Sequence, residues 1–197
     1  MMHRKSRIRG AIALAAAVMA AVVLACGTAS ATPFHSDVAP ILAFFSAVRD
    51  HDLDSVREEL SKGANPDAVD DSGKTALIYA AVSGDHDLAD LLLHSGARAD
   101  LRDDIGNTPL TWAAERGQVD IAEMLIKAGS PVDAQNHEGQ TPLIKAAQQG
   151  QRDVIRLLID HGADVNKADY TGRTALMWAQ ANGKRSVISL LSNPNAK

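Results

Sequence analysis

A spacing of 33 residues runs through most of the chain and constrains the fold more than any other feature. Glycine, threonine and leucine each recur in this register, and a period of this length is typical of stacked small units. The series are Gly73, Gly106, Gly139 and Gly172; Thr75, Thr108, Thr141 and Thr174; and Leu77, Leu110, Leu143 and Leu176. We therefore expect a solenoid in which each unit buries its apolar face against the next.

Each unit predicts two short helices followed by an extended loop. In the third unit, Thr108 is placed to cap the first helix, and Pro109 suits its first turn because no backbone N–H is needed there. Gly117 is expected to end this helix in a left-handed conformation. The second helix, predicted from Val119 to Ala128, carries a wider apolar face and ends at Gly129.

Two stretches of the unit resemble a known family. Residues 103–110 read DDIGNTPL and residues 157–164 read LLIDHGAD, and both are similar to the ankyrin repeat. The resemblance implies an all-α ankyrin solenoid of helix-turn-helix units with β-hairpin-like loops and about five repeats. The histidine that the family places after Thr-Pro-Leu is replaced, so the hydrogen bonding between loops is expected to differ. The replacements are Ile78, Thr111, Ile144 and Met177.

The register divides the chain into five predicted units. They are an N-terminal capping repeat at residues 37–69, repeats at 70–102, 103–135 and 136–168, and a C-terminal capping repeat at 169–192. The first unit is degenerate, since it lacks Thr-Pro-Leu and has His51 where glycine is expected. Atypical terminal units are what the capping of a solenoid requires.

The composition limits the core and the binding partners. Only 4% of the residues are aromatic, so we expect a core of Ala, Leu, Ile and Val. The formal net charge is −4, which gives no electrostatic case for binding nucleic acid.

The N-terminus has the parts of a secretory signal peptide. Basic residues up to Arg9 precede an apolar run at residues 11–25, and Ala29-Ser30-Ala31 follows as a cleavage site. The apolar run is shorter than the roughly 20 residues that a spanning helix needs. We therefore predict that residues 1–31 direct export to the periplasm and are removed.

A second processing site for the signal peptide, before Cys26, remains an alternative. Residues 23–27, VLACG, resemble a bacterial lipobox, in which Cys26 would be lipidated and would tether the protein to the membrane as an envelope protein. We favour cleavage after Ala31. Because Cys26 is the only cysteine, no disulfide is expected in the folded part.

The sequence contains none of the motifs that would indicate catalysis. It has no G-x-S-x-G, no H-E-x-x-H and no phosphate-binding glycine loop. We therefore predict a protein that is not an enzyme and has no cofactor and no metal. A hydrolase that uses Asp104 and Glu115 is the alternative, but an open repeat surface rarely shifts carboxylate pKa values as catalysis requires.

The resemblance implies a binding site for a partner protein on a concave face made of loop tips and first helices. The partner-binding residues carried over are Asp71, Ser72 and Lys74; Asp104, Ile105, Asn107, Glu115 and Arg116; His137, Glu138, Gln140, Gln148 and Gln149; and Tyr170, Thr171 and Arg173. Ile105 and Tyr170 are the expected anchors, because folding alone offers little reason for them at turn tips. We expect a monomer, and an immunity or accessory factor for an exported enzyme or toxin is an alternative role.

One further series occupies equivalent places in the first helices. Its members are Tyr79, Trp112, Lys145 and Trp178. We predict that this position packs between the two helices of a unit, with Lys145 as the exception that must reach solvent or lie at a less buried edge.

Overall fold

The computed structural model describes the backbone of residues 38–193 and the side chains of residues 41–193. In this range the chain forms ten α-helices. They are α1 (Val38–Asp50), α2 (Leu53–Ser61), α3 (Ala76–Ser83), α4 (His86–His94), α5 (Pro109–Arg116), α6 (Val119–Lys127), α7 (Pro142–Gln149), α8 (Arg152–Asp160), α9 (Ala175–Ala181) and α10 (Arg185–Ser192). The predicted signal peptide, with Cys26, lies outside the described residues.

The helices form five consecutive pairs, and each pair falls within one 33-residue unit of the sequence. The odd-numbered helices, which we call inner helices, pack against one another along the stack, and the even-numbered outer helices do the same. A helix pair cannot bury its apolar face alone, whereas stacking makes one continuous core. The predicted all-α solenoid of about five units is thus confirmed.

The inner helices begin and end as their sequences predict. The Thr108 hydroxyl accepts a hydrogen bond from the backbone N–H of Thr111 at 3.2 Å, and the threonines that precede α3, α7 and α9 act in the same way. Gly117 then ends α5 with φ at 76°, in the left-handed region where a side chain is disfavoured. His51 takes the corresponding place after α1 with φ at 56°.

The repeated leucine forms the centre of the core. Leu77, Leu110 and Leu143 are fully buried, and pairs of alanines on the same helices are buried beside them. Small alanine side chains let neighbouring inner helices approach closely. Leu176 is only partly buried, because among the described residues only the fourth unit packs against the fifth.

The expectation that aliphatic residues alone build the core is wrong at the N-terminal end. Phe44, which lies 33 residues before Leu77, and the adjacent Phe45 are both buried in α1. Their ring centroids are 5.5 Å apart, and Phe45 lies 6.2 Å from the ring of Tyr79 in the next unit. Edge-on aromatic packing of this kind covers a large apolar area with few residues. The capping unit therefore uses phenylalanine in the leucine position.

Candidate functional site

The loop between successive units folds back on itself around one side chain. A carboxylate oxygen of Asp70 accepts hydrogen bonds from the backbone N–H groups of Ser72 at 2.8 Å and Lys74 at 3.0 Å. The N–H of Asp70 donates to the carbonyl of Lys74, also at 3.0 Å, which makes the loop hairpin-like. The same contacts recur in the next three loops, at Asp103, Asn136 and Asp169.

Neighbouring loops are joined at their tips, which we define as residues 71–72, 104–105, 137–138 and 170–171. The N–H of His137 donates to the carbonyl of Ile105, and the N–H of Tyr170 donates to the carbonyl of Glu138, both at 3.1 Å. A Cβ on Gly139 would lie only 2.6 Å from the backbone nitrogen of Tyr170. Glycine at this position therefore permits the close approach that places the tips in one row.

The histidine that the family uses to join adjacent loops is replaced in this chain. Two other side chains join the loops instead. Arg102 Nη1 donates to the carbonyl of Gly106, in the loop that Arg102 precedes, and to that of Gln135, which directly precedes the following loop. Gln135 Nε2 repeats the pattern 33 residues on, with the carbonyls of Gly139 at 2.7 Å and Ala168 at 3.2 Å. These two residues brace the loops of the third, fourth and fifth units.

Most of the predicted contact residues lie at the surface of this row or of the inner helices beneath it. The exposed ones are Asp71, Ser72, Asp104, Ile105, Arg116, His137, Glu138, Gln149, Tyr170, Thr171 and Arg173. Those that are partly buried are Lys74, Glu115 and Gln148.

Asn107 and Gln140 are placed differently from the prediction, because both are buried. Their exposed fractions are 0% and 6%. The backbone N–H of each donates to the side chain that organises its loop, and Asn107 Oδ1 also accepts a hydrogen bond from Asn136 Nδ2 at 2.9 Å. These two positions lie beneath the loops, where their side chains face protein and not solvent.

Ile105 and Tyr170 are both exposed, with exposed fractions of 53% and 73%. Folding alone offers little reason for Ile105 at its turn tip, whereas Tyr170 also has a contact within the fold. Its ring lies directly over Gly139 in the preceding loop, within 2.6 Å of the place where a Cβ would be. The ring thus covers a loop and still presents most of its surface to solvent.

The series of aromatic residues on the inner helices is anchored to the loops. The hydroxyl of Tyr79 donates to Asp70 at 2.5 Å, and the indole N–H groups of Trp112 and Trp178 donate to Asp103 and Asp169 at 2.8 and 2.7 Å. These half-buried rings fix each loop to the helix that follows it.

Two basic side chains cover the tryptophan rings of this series. Lys74 Nζ lies 5.2 Å from the ring centroid of Trp112, and the guanidinium of Arg173 lies 4.8 Å from that of Trp178. Contacts of this geometry are attractive because the face of an indole ring is electron-rich. Both predicted contact residues are therefore held in place before any partner arrives.

In the part of the chain that the structure describes, no cluster of three or more His, Cys, Asp or Glu side chains could hold a metal ion. None of the helices in residues 38–193 has the length and apolar character to cross a membrane.

The comparison with protein families agrees with this geometry. The family model described as "Ankyrin repeats (3 copies)" matches residues 44–136 and again residues 126–197. The chain belongs to the ankyrin repeat family. No curated protein matches it significantly. Ankyrin repeats are generally protein–protein interaction modules.

The fourth ankyrin repeat departs from the second, third and fifth at two positions together. Asn136 stands where the others have a loop aspartate, and Lys145 stands where they have an aromatic ring. Lys145 reaches back to the third repeat, where its Nζ lies 3.3 Å from Oε2 of Glu115. Their side chains are only 16% and 21% exposed. An ion pair thus replaces the ring-to-loop contact near the middle of the ankyrin stack.

Hydrogen bonds favour the charged form of two loop carboxylates, Asp70 and Asp169, by lowering their pKa values. Burial alone would raise the pKa of Asp70 and of Asp169, but hydrogen bonds outweigh it and lower both values. At Asp70 the donors are the Tyr79 hydroxyl and two backbone N–H groups of the loop. At Asp169 they are the Thr171 hydroxyl, the indole of Trp178 and two backbone N–H groups. Charged acceptors make stronger hydrogen bonds, which favours rigid ankyrin loops.

The pairing of Lys145 with Glu115 is the part of the surface that sequence reasoning missed. The sequence marks Lys145 as an exception in its series, but nothing local indicates which residue compensates for it. The sequence does contain one indication that the fourth repeat differs. Asn136 is the exception among the loop aspartates, and Lys145 is the exception among the aromatic residues of the inner helices. Only the packing of α5 against α7 shows that the partner is Glu115.

Proposed function

We propose that this ankyrin repeat protein acts by binding a partner protein on its concave face, without catalysing a reaction. The face consists of the row of loop tips and the exposed sides of the inner helices. The observation that carries the proposal is the joined row of tips, which presents Ile105 and Tyr170 to solvent on a hydrogen-bonded framework. The membership of the ankyrin family, whose members are typically non-enzymatic, supports the same function.

The rigidity of the face favours binding because little order has to be created when a partner docks. Each loop already has its backbone fixed by an internal side chain, and Lys74 and Arg173 already lie on aromatic rings. A surface that is organised in advance loses less conformational entropy on association. Within such a surface, a few exposed apolar or aromatic groups contribute most of the affinity.

The experiment compares capture of partners by the wild-type chain and by Ile105→Ala. Crosslinking in a periplasmic extract, followed by mass spectrometry, identifies the proteins held by the wild type. We expect Ile105→Ala to weaken the recovered interaction by about 1–2 kcal/mol, as anchor residues do. Arg156→Ala, an exposed change on the outer helix α8, is the matched control and should leave binding intact. If Ile105→Ala and Arg156→Ala bind the partner equally well, binding on the concave face is contradicted.

We further propose that the chain is exported and acts in the periplasm, on the basis of its N-terminal sequence. Mass spectrometry of the mature N-terminus tests this point separately from binding. A first residue of Thr32 supports cleavage after Ala31 and a protein free of the membrane. A lipidated Cys26 supports a tethered envelope protein. An intact Met1 contradicts both cleavage after Ala31 and processing at Cys26.

A further inference from the structure

The fifth repeat exposes apolar side chains at positions that are buried in the repeats before it. Met177 is 50% exposed, whereas Ile78 and Ile144 at the equivalent position are fully buried. Leu176 and Ile188 are partly buried, although their equivalents in the second, third and fourth repeats are fully buried. These three side chains lie on the last helix pair, α9 and α10, and we call the surface that they form the C-terminal end.

The first repeat has the same feature on its helix α1. Leu42 is 61% exposed, whereas the threonines at the equivalent position before α3, α5 and α7 are at most 1% exposed. Ala43 is exposed as well, although the residues that begin those three helices at the equivalent position are buried. We call the surface formed by Ile41, Leu42 and Ala43 the N-terminal end.

Both sets of positions are buried inside the stack because each inner helix packs on the next. Helix α5 packs on α7, and α7 packs on α9. Among the described residues, no inner helix precedes α1 or follows α9, so each of these two helices leaves one packing side uncovered. The two ends are therefore the two halves of one kind of contact, which repeat proteins form between neighbouring units.

The two ends carry opposite charge. Residues 37–69 contain seven acidic and three basic residues, and four of the acidic side chains are exposed on or between α1 and α2, namely Asp50, Asp52, Asp54 and Glu58. Residues 169–197 contain four basic residues and one acidic residue, Asp169, which is buried. Like ends therefore repel each other, whereas an N-terminal end and a C-terminal end attract.

Polar side chains limit how large a contact between two ends can be. Glu59 stands where the second repeat has the buried Leu92, and Gln180 stands where the fourth repeat has the buried Ala147. Substitutions of this kind keep the terminal units of a repeat protein soluble. The apolar contact is therefore restricted mainly to the inner helices, and an association through it is weak and reversible.

We propose that copies of this chain associate end to end, with the C-terminal end of one copy on the N-terminal end of the next. Helix α9 of one copy packs on α1 of its neighbour as α7 packs on α9 within a single copy. Because unlike ends meet, each complex keeps one free end of each kind, and further copies add to it. At low concentration the chain is the monomer that its sequence predicts. This inference does not use the concave face and goes beyond the proposed function.

Sedimentation equilibrium of the purified chain, with its mature N-terminus defined as described above, measures the association. We expect the weight-average mass to rise from one copy toward two or more as the concentration approaches about 1 mM, as a weak contact requires. Leu42→Glu disables the N-terminal end and Met177→Glu disables the C-terminal end, because each places a charge in the apolar contact. Each variant alone should stay monomeric. Ile105→Glu, which changes a side chain of similar exposure on a loop tip, is the matched control and should associate as the wild type does.

An equal mixture of Leu42→Glu and Met177→Glu is the decisive sample. The intact C-terminal end of the first variant and the intact N-terminal end of the second should pair, which gives a complex of two chains that does not grow further. Formation of this complex also shows that both variants are folded. Its affinity should fall severalfold between about 0.05 and 0.5 M salt, since salt screens the opposite charges of the two ends.

Several results would overturn end-to-end association. They are a wild type that stays monomeric up to about 1 mM, self-association of either glutamate variant alone, and a mixture of the two variants that forms no complex. Loss of association in Ile105→Glu would place the contact between copies on the concave face and would overturn the proposal as well. None of these results decides whether a partner protein binds, which Ile105→Ala tests separately.

Discussion

At the scale of single residues, the sharpest departure from the repeat is His51. It is the one residue other than glycine, in the part of the chain described, whose φ lies in the left-handed region. Its ring Nδ1 contacts Oδ2 of Asp85 at 2.8 Å, and Asp85 in turn caps α4 through the N–H of Leu88. Glycine fills the corresponding position after α3, α5 and α7, so His51 exchanges backbone freedom for a side-chain contact to the next unit.

Two substitutions of His51 separate the backbone term from the side-chain term. His51→Ala and His51→Gly both lose the contact with Asp85, but only alanine keeps a Cβ in the left-handed region. We expect the glycine variant to be more stable than the alanine variant by about 1 kcal/mol, because that is the order of the left-handed penalty. Urea unfolding followed by circular dichroism measures the difference.

Ser46, an exposed position within α1, provides the control for that comparison. There the order should reverse, with Ser46→Gly less stable than Ser46→Ala by about 1 kcal/mol, since glycine disfavours a helix interior. The same order at both positions would show that the backbone at His51 is not strained.

At the scale of elements, the sequence predicts well those features that depend on residues within a single unit. The threonine caps and the glycine that ends an inner helix depend on a few adjacent residues, and both appear as expected. The burial of Asn107 and Gln140 depends on how closely the next loop approaches. The contact of Glu115 with Lys145 joins two helices from different units. Neither could be inferred from the 33-residue period, because the period does not show how close the side chains of adjacent units lie to one another.

The bracing of the loops by Arg102 predicts a local effect on the tips. Arg102→Met removes the donor to Gly106 and Gln135, so the third and fourth loops should separate more often. We expect a loss of about 1 kcal/mol, since Arg102 is exposed and a net hydrogen bond contributes roughly that much. Hydrogen exchange should quicken at the N–H of His137, which bonds to the carbonyl of Ile105.

Arg98 offers a matched comparison four positions earlier. It pairs with Asp100 in its own loop, with side chains 60% and 48% exposed, and its side chain reaches no other unit through that contact. Arg98→Met should therefore cost less than about 0.5 kcal/mol, as exposed ion pairs do. Exchange at His137 that is equally fast in both variants would show that Arg102 does not join the loops.

At the scale of the whole molecule, the stack makes stability depend on position along it. An internal unit contacts a neighbour on each side, whereas within the described residues the fifth packs on the fourth through α7·α9 and α8·α10. The stability of such a protein is close to a sum of unit terms and nearest-neighbour interface terms. Leucines at equivalent positions therefore contribute differently to the free energy of unfolding. Leu110 is fully buried, whereas Leu176 is partly buried.

Leu110→Ala and Leu176→Ala test this dependence with one substitution at two positions. Leu110→Ala should cost about 2–5 kcal/mol, because it leaves a cavity between units that cannot close. It should lower the single cooperative transition of the stack in urea. Leu176→Ala should cost less, and exchange protection should fall in α9 and α10 while α5 to α8 keep theirs, because a terminal unit can open without breaking the interfaces before it. Equal losses of stability from the two variants, or loss of protection throughout the chain with Leu176→Ala, would contradict the nearest-neighbour description and indicate a single core that unfolds only as a whole.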